Sequence, residues 1–209
     1  AIFSVADMMI RTQSDRMTGK NGSWHIELDG ISQETALKIA ERDDVVSIGA
    51  VTIFNPDGEL PYRMDGKRVV LYGIDESYLT MNSTGAAEGR FPQGMGEIML
   101  SSNAARVLQV AVGDTVTLRT PSGDWDFTVS GLGGVEESYY SGQYSLMDAY
   151  LPRTAFAALM EQNNVHNLQT SYYVQFTSAS KAAKAIPELT AQHNLPENAV
   201  SENTGVMAI

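Results

Sequence analysis

The side chains able to do chemistry in this sequence are few, and they stand far apart. His25, His166 and His193 are its three histidines, and none has a partner at metal-ligand spacing. His25 falls on the polar side of an alternating segment. His193 ends a helical segment, where a cation suits the helix dipole. All three read as surface histidines. Carboxylates pair at Asp43-Asp44, at Asp124 and Asp126, and at Glu136-Glu137. A glycosidase needs two carboxylates facing each other across a cleft. Asp43-Asp44 reads instead as a solvated helix end, and Asp124 and Asp126 flank Trp125 on the outer face of a hairpin. None of them forms a calcium loop, which takes ligands at alternate positions and a closing Glu. Gly131-Leu-Gly-Gly134 hints at a phosphate loop, but Glu136 stands where the third glycine of G-x-G-x-x-G would fall. It reads as a turn needing positive φ. The chain has no cysteine, which excludes disulfides, thiolate metal sites and Cys nucleophiles. No catalytic residue, metal site or cofactor is expected.

Composition narrows the classes further. Hydrophobic residues make up 43% of the 209 and charged residues 19%, ordinary for a folded chain with a sizeable core. A net charge of −11 and a pI near 4.6 exclude a nucleic-acid binder, which needs clustered Lys and Arg. They also oppose adsorption to an anionic membrane surface. No apolar run approaches the roughly 20 residues of a membrane span. The sequence begins without Met, is apolar through Ile10, and turns apolar again at its last residues. Both ends read as trimmed from a longer chain.

The elements that must position any site follow from periodicity. Residues 2–17 read as a helix. Trp24, Ile26 and Leu28 alternate with His25, Glu27 and Asp29, which predicts a half-buried strand. Ser32 is an N-cap candidate with Thr35 three residues on, and the helix it opens leads to a strand over 45–54. The tail repeats this order. A strand over 171–178 sets Tyr172, Val174 and Phe176 against Tyr173, Gln175 and Thr177. A helix follows that Pro187 kinks or divides, and then a final strand. Two strand–helix–strand halves combine into a ferredoxin-like layer of helices on an antiparallel sheet. The middle is β-rich: strands over 67–75 and 97–101, a helix over 102–110 with Ala105, Leu108 and Val112 inward, and a hairpin turning at Pro121–Asp124. A short strand and a helix over 149–163 close it, with Pro152 at the helix start.

One segment is neither periodic nor plainly scaffold. Residues 133–150 set Tyr139, Tyr140, Tyr144 and Tyr150 among acids, Ser and Gly, a composition suited to protein recognition. Glu136, Glu137, Tyr139, Tyr140 and Tyr144 are the candidate partner-binding residues.

Several short motifs occur in a telling order: Leu71-Tyr-Gly-Ile-Asp75, Glu88-Gly-Arg90, Glu97-Ile-Met-Leu-Ser101, Ala104-Ala105 with Leu108, Gly113-Asp114 and Val129-Ser-Gly131. In that order, the chain resembles the extracytoplasmic domain of MacB/FtsX-like ABC transporter permeases. The resemblance implies an α+β fold with a porter-like subdomain from residues 1–61 and 168–209, residues 1–17 being a membrane-proximal helix. An inserted β-rich, Sabre-like subdomain over 62–167 would complete it. It implies a domain between transmembrane helices, on the extracytoplasmic face of the bacterial plasma membrane, which would account for both trimmed ends. It implies no catalysis and no ATP site here. The partners it implies are a cytoplasmic ATP-binding subunit, a second permease copy and a peptide, lipoprotein or envelope-protein partner. ATP hydrolysis would move the membrane helices, and this domain would carry the motion outward. The 133–150 segment matches no family pattern, and partner choice is expected there.

Two other classes compete. A secreted binding or adhesion module would share the acidity and the lack of Cys. A small hydrolase would pair Glu136 or Glu137 with Asp75 across two lobes, yet no nucleophile or base has a recognisable setting.

Overall fold

The computed structural model describes residues 22–56, 61–82, 86–134 and 147–208. In chain order the elements are β1 (Ile26–Leu28), α1 (Gln33–Ala40), β2 (Val45–Phe54), β3 (Arg63–Met64), β4 (Lys67–Ile74), α2 (Glu76–Asn82), β5 (Ala86–Gly89) and β6 (Glu97–Leu100). There follow α3 (Ser102–Leu108), β7 (Thr115–Thr120), β8 (Gly123–Gly133), β9 (Met147–Pro152), α4 (Arg153–Gln162), β10 (Thr170–Phe176), α5 (Ala179–His193), β11 (Val200–Glu202) and α6 (Thr204–Met207). The described residues divide into two compact units. One holds residues up to 49, residues 81 and 82, and residues from 171 onward; the other holds the rest. The expected residue 1–17 helix lies outside the described residues.

In the first unit the strands run β11-β1-β10, followed by the start of β2. Numbered within the unit, that is four, one, three, two, the ferredoxin-like arrangement the two strand–helix–strand halves predict. Both flanks of β1 are antiparallel, with Ile26 opposite Val174 and Glu202. Alternation decides which face is buried: Ile26, Leu28, Tyr172, Val174 and Phe176 are core residues. The helices start where side chains satisfy their first N–H groups. Ser32 Oγ accepts from Thr35 N at 3.1 Å, and Ser178 Oγ accepts from Lys181 N at 3.1 Å. Helix α1 buries Ala36 and Ile39, and α5 buries Ala182, Ala185 and Leu189. Pro187 does not divide α5, which continues to His193. The carbonyl that loses its partner belongs to Ala183, and Ala183 and Pro187 are both exposed, so the site is open to solvent and the lost bond costs less than it would in the core. Arg42 ties the end of α1 to α5. Its guanidinium meets Asp44 at 2.9 and 3.0 Å and Glu188 at 2.7 Å, which holds the Asp44 carboxyl below its usual range.

The second unit is a closed ring of strands. β4 pairs with β3, β3 with β7, β7 with β8, β8 with β6, and β6 with β9. β9 then returns to β4 in parallel, from Val69 opposite Met147 to Ile74 opposite Pro152. The result is a six-stranded barrel, and closure removes the exposed sheet edges that invite aggregation. Every second residue points inward: Val69 and Leu71, Ile98 and Leu100, Val116 and Leu118, Phe127 and Val129, Met147, Ala149 and Leu151. Helix α4 adds Ala155, Phe156, Leu159 and Met160 to the same core. It seats over β4 at Gly73, where the Phe156 ring fills the space a Cβ would need. Helix α3 begins at Ser101, whose Oγ accepts from Ala104 N at 3.1 Å, and buries Ala104 and Ala105. It ends at Gln109, in the left-handed region at φ 55°. That early stop corrects one expectation. Val112 does not continue the inward face; it lies in the following turn and is 40% exposed.

Candidate functional site

The residues expected to bind a partner, Glu136, Glu137, Tyr139, Tyr140 and Tyr144, lie outside the described residues. Their attachment points are described. β8 ends at Gly133 and β9 starts at Met147, on either side of this segment. Gly133 and Gly134 have φ of 141° and 132°, and a Cβ on Gly134 would stand 2.5 Å from Tyr150 Oη. Tyr150 does not belong to an exposed tyrosine surface. It is buried and stacks on Tyr72, centroids 4.8 Å apart, across the parallel β4–β9 pair. Ser101 N donates to Asp148 O at 2.9 Å on the same return. The segment therefore springs from two barrel strands whose positions are fixed by packing.

Next to this root two strands cross closely. β5 runs beside β8 with Gly89 opposite Gly131. Gly89 has φ 67°, and a Cβ there would overlap the Ser130 carbonyl oxygen; one on Gly131 would overlap that of Arg90. Arg90 N donates to Ser130 O at 2.9 Å, and Ser130 Oγ donates to Arg90 O at 3.1 Å. The Arg90 guanidinium then grips Glu97 at 2.8 and 2.5 Å, and Gln93 N donates to the same carboxylate at 2.9 Å. The arginine first, and the Gln93 N–H after it, hold the Glu97 carboxyl below its usual range. Folding pulls this pKa down, so the contribution of the pair is complete above the ordinary carboxylate range and fades as pH drops through the folded value. The Gly-Arg and Glu-Ile motifs thus build a crossing and a clamp. In Gly131-Leu-Gly-Gly134 the last two glycines supply the expected positive φ, but residues 131–133 end strand β8 rather than forming a turn. The first is needed for close approach.

The other residues singled out for chemistry are dispersed. Asp44 is bound by Arg42. Asp126 accepts from Thr117 Oγ1 at 2.6 Å on the exposed side of the β7–β8 hairpin. Asp75 Oδ2 accepts from Ala50 N at 2.9 Å and lies 3.9 Å from Arg153, a scaffolding position. A carboxylate pair that the linear sequence did not flag occurs on β1. Ser171 Oγ donates to Asp29 at 2.5 Å, and burial, then the neighbouring Asp29, pushes the Glu27 carboxyl up. The two carboxylates are neighbours on one face by alternation, and strand pairing adds the Ser171 hydroxyl to Asp29. Among the described residues, no three His, Asp or Glu side chains gather as metal ligands, and no helix is long and apolar enough to cross a membrane.

His25 corrects a second expectation. It is not a surface histidine but is 7% exposed. Its Nδ1 accepts from Phe176 N at 2.9 Å, just past the last β1–β10 pair. Burial lowers its pKa from the ordinary 6.5, since the protonated ring loses hydration and can no longer accept at Nδ1. The unfolded chain therefore binds the proton first. Stability is complete above pH 6.5, falls as pH drops from 6.5 toward the folded pKa, and levels off below it. His25→Asn retains an acceptor without a titrating ring. The difference between wild type and His25→Asn in urea midpoint should therefore shift between pH 7.5 and 5.5. His25→Ala should cost about 1–3 kcal/mol at pH 7.5, by orphaning the Phe176 N–H, and less at pH 5.5, where the wild type has already lost part of the contribution of the neutral ring.

Comparison with known proteins agrees with this architecture. The family model for the MacB-like periplasmic core domain matches residues 1–192. The structure of the periplasmic region of MacB from Actinobacillus actinomycetemcomitans is similar at TM-score 0.64 and 14% identity, covering 94% of this chain and 96% of that one. The extracellular domain of the noncanonic ABC-type transporter YknZ from Gram-positive bacteria is similar at TM-score 0.57 and 15% identity, covering 86% of this chain and 98% of that one. No curated protein matches the sequence.

Proposed function

Because this chain belongs to the family of MacB-like periplasmic core domains, the extracytoplasmic domains of ABC transporter permeases, we propose that it couples ATP hydrolysis to events outside the membrane without doing chemistry itself. The observation that carries the reading is the family match across residues 1–192. The built features fit a transmitter. The barrel is closed, its core is continuous with α4, and a glycine crossing and an arginine clamp stiffen the strands from which the 135–146 segment springs. A part that passes on displacement must resist deformation, and packed barrels do so because interiors have little free volume. The ATP-binding partner acts from the cytoplasm and a second permease copy completes the machine. The cargo or partner is a peptide, a lipoprotein or another envelope protein, engaged through Glu136, Glu137, Tyr139, Tyr140 and Tyr144.

Changing Tyr139, Tyr140 and Tyr144 together to Ser tests the engagement surface. The expected outcome is a full permease that is made and folded as before, with its ATPase activity kept and export or resistance abolished. Export at the wild-type rate removes these residues from the proposal and leaves the coupling role standing on its own test.

A further inference from the structure

The incoming and outgoing chain meet at one end of the first unit. Residues 22–25 lead into β1, and β11 leads into α6. β1 and β11 are antiparallel with Ile26 opposite Glu202, so the start of one strand lies beside the end of the other. Beyond that pair Asn203 continues the contact. Its N donates to His25 O at 2.8 Å, and its Nδ2 donates to Trp24 O at 2.9 Å. Asparagine is a favoured N-cap, and Asn203 stands at the N-cap of α6, yet its side chain makes no cap bond to that helix. It reaches across to the incoming chain instead, and it is only 5% exposed.

The two sides of this contact are anchored unequally. The incoming side is tied into the unit at several points. Ser23 N donates to Met81 O at 2.7 Å, His25 N donates to Val174 O at 2.8 Å, and Phe176 N donates to His25 Nδ1 at 2.9 Å. The outgoing side has less to hold it. β11 is three residues long, stands at the end of the strand order, and exposes Ser201 and Glu202. α6 is four residues long and buries none of them. Short elements near a chain end open first unless something ties them down. A buried side chain bonded to a fixed main chain is such a tie. Force applied to both connections from this end loads the β1–β11 bonds in sequence, from the outermost inward. The outermost are those of Asn203.

We infer that Asn203 is a positioning residue for coupling: it locks the outgoing connection to the incoming one, so that both move with the first unit as one body. The inference rests on the coupling role and on the expected place of the domain between membrane helices. A displacement arriving through either helix then reaches the sheet. Without the Nδ2 bond the outgoing chain peels from Trp24 and His25, and the displacement is absorbed in opening β11.

The test uses the full-length permease, its other cysteines replaced, reconstituted with its ATPase. Ala191→Cys on α5 and Ala208→Cys after α6 are both at exposed positions and carry nitroxides. Labelled copies are diluted into unlabelled ones, so that pulsed electron-electron measurements read the distance within one copy. With Asn203 in place, that distance should be the same without nucleotide and with hydrolysis trapped by vanadate. Asn203→Ala removes the side-chain bond, and Asn203→Asp keeps the shape without the Nδ2 donor. In both, the distance should change by several ångström on trapping while ATP is still hydrolysed. Ser32→Ala removes the cap bond from Thr35 N at the other end of β1 and should leave the distance constant. Four results would each overturn the inference: a distance that changes on trapping with Asn203 in place; a distance in both variants that stays constant or broadens equally in the two states; a change in Ser32→Ala as large as in Asn203→Ala; or loss of the fold in both Asn203 variants. Undiluted copies labelled at Ala191→Cys alone separate this from the coupling role. If the distance between copies shifts on trapping and the variants stay rigid, only the lock fails; if it does not shift, the coupling role fails.

Discussion

Replacing Gly131 with Ala is expected to destabilise the barrel unit by about 3 kcal/mol or more. A single added methyl seldom does so much. Here it would overlap the carbonyl oxygen of Arg90 and come within 3.1 Å of its N and C atoms. Those neighbours are backbone, so no rotamer change relieves the contact. The crossing would have to open, breaking the Arg90–Ser130 bonds of 2.9 and 3.1 Å. Gly89→Ala at the facing position adds strain at φ 67° to a similar overlap. Differential scanning calorimetry should show a drop of about 10 °C for Gly131→Ala. A change within about 2 °C would mean the two strands separate more easily than their packing indicates.

The second large effect concerns the seat of α4. Gly73→Val would set its Cβ 2.6 Å from Phe156 Cδ1 and 2.7 Å from Phe156 Cβ, an overpacking expected to cost about 3 kcal/mol. Phe156→Ala alone empties a core position and should cost about 3–5 kcal/mol. In the double variant the overlaps with the ring are gone and only the 2.7 Å contact with the Cβ of residue 156 remains. Its cost should therefore fall short of the sum by at least about 1 kcal/mol. Chemical denaturation of the four proteins gives the comparison, and strict additivity would show that Gly73 and Phe156 do not share this contact.

These positions also mark where reading the sequence stopped. Periodicity found the inward residues of β1 and β10, because alternation in a half-buried strand leaves Ile26, Leu28, Tyr172, Val174 and Phe176 on one side. Capping found Ser32, since its hydroxyl acts within three residues. The ferredoxin-like unit was legible for the same reason: its order follows from two local strand–helix–strand patterns. The barrel's closure was not. It rests on the parallel pairs β4–β9 and β6–β8, and no local pattern says which buried strands become neighbours. The short strands β3 and β5 and the helix α2 carry too few residues to establish a period. His25 misled because alternation placed it with Glu27, whereas it sits one residue before the ladder and turns its ring to the Phe176 N–H. Gly73 looked like one more strand residue until α4 was placed over it.

What the chain does in the transporter depends on whether the outer domain moves when ATP is consumed. These 209 residues contain no cysteine, so a single reporter can be placed here once any cysteine elsewhere in the permease and its ATPase has been replaced. Ser180→Cys, exposed near the start of α5, can carry a nitroxide in the full-length permease reconstituted with its ATPase. Pulsed electron-electron distances between the labels of two copies should be measured without nucleotide and with hydrolysis trapped by vanadate. The coupling role predicts a distance distribution that shifts by several ångström on trapping. An identical distribution in both states, in a preparation that hydrolyses ATP at its full rate, would contradict it.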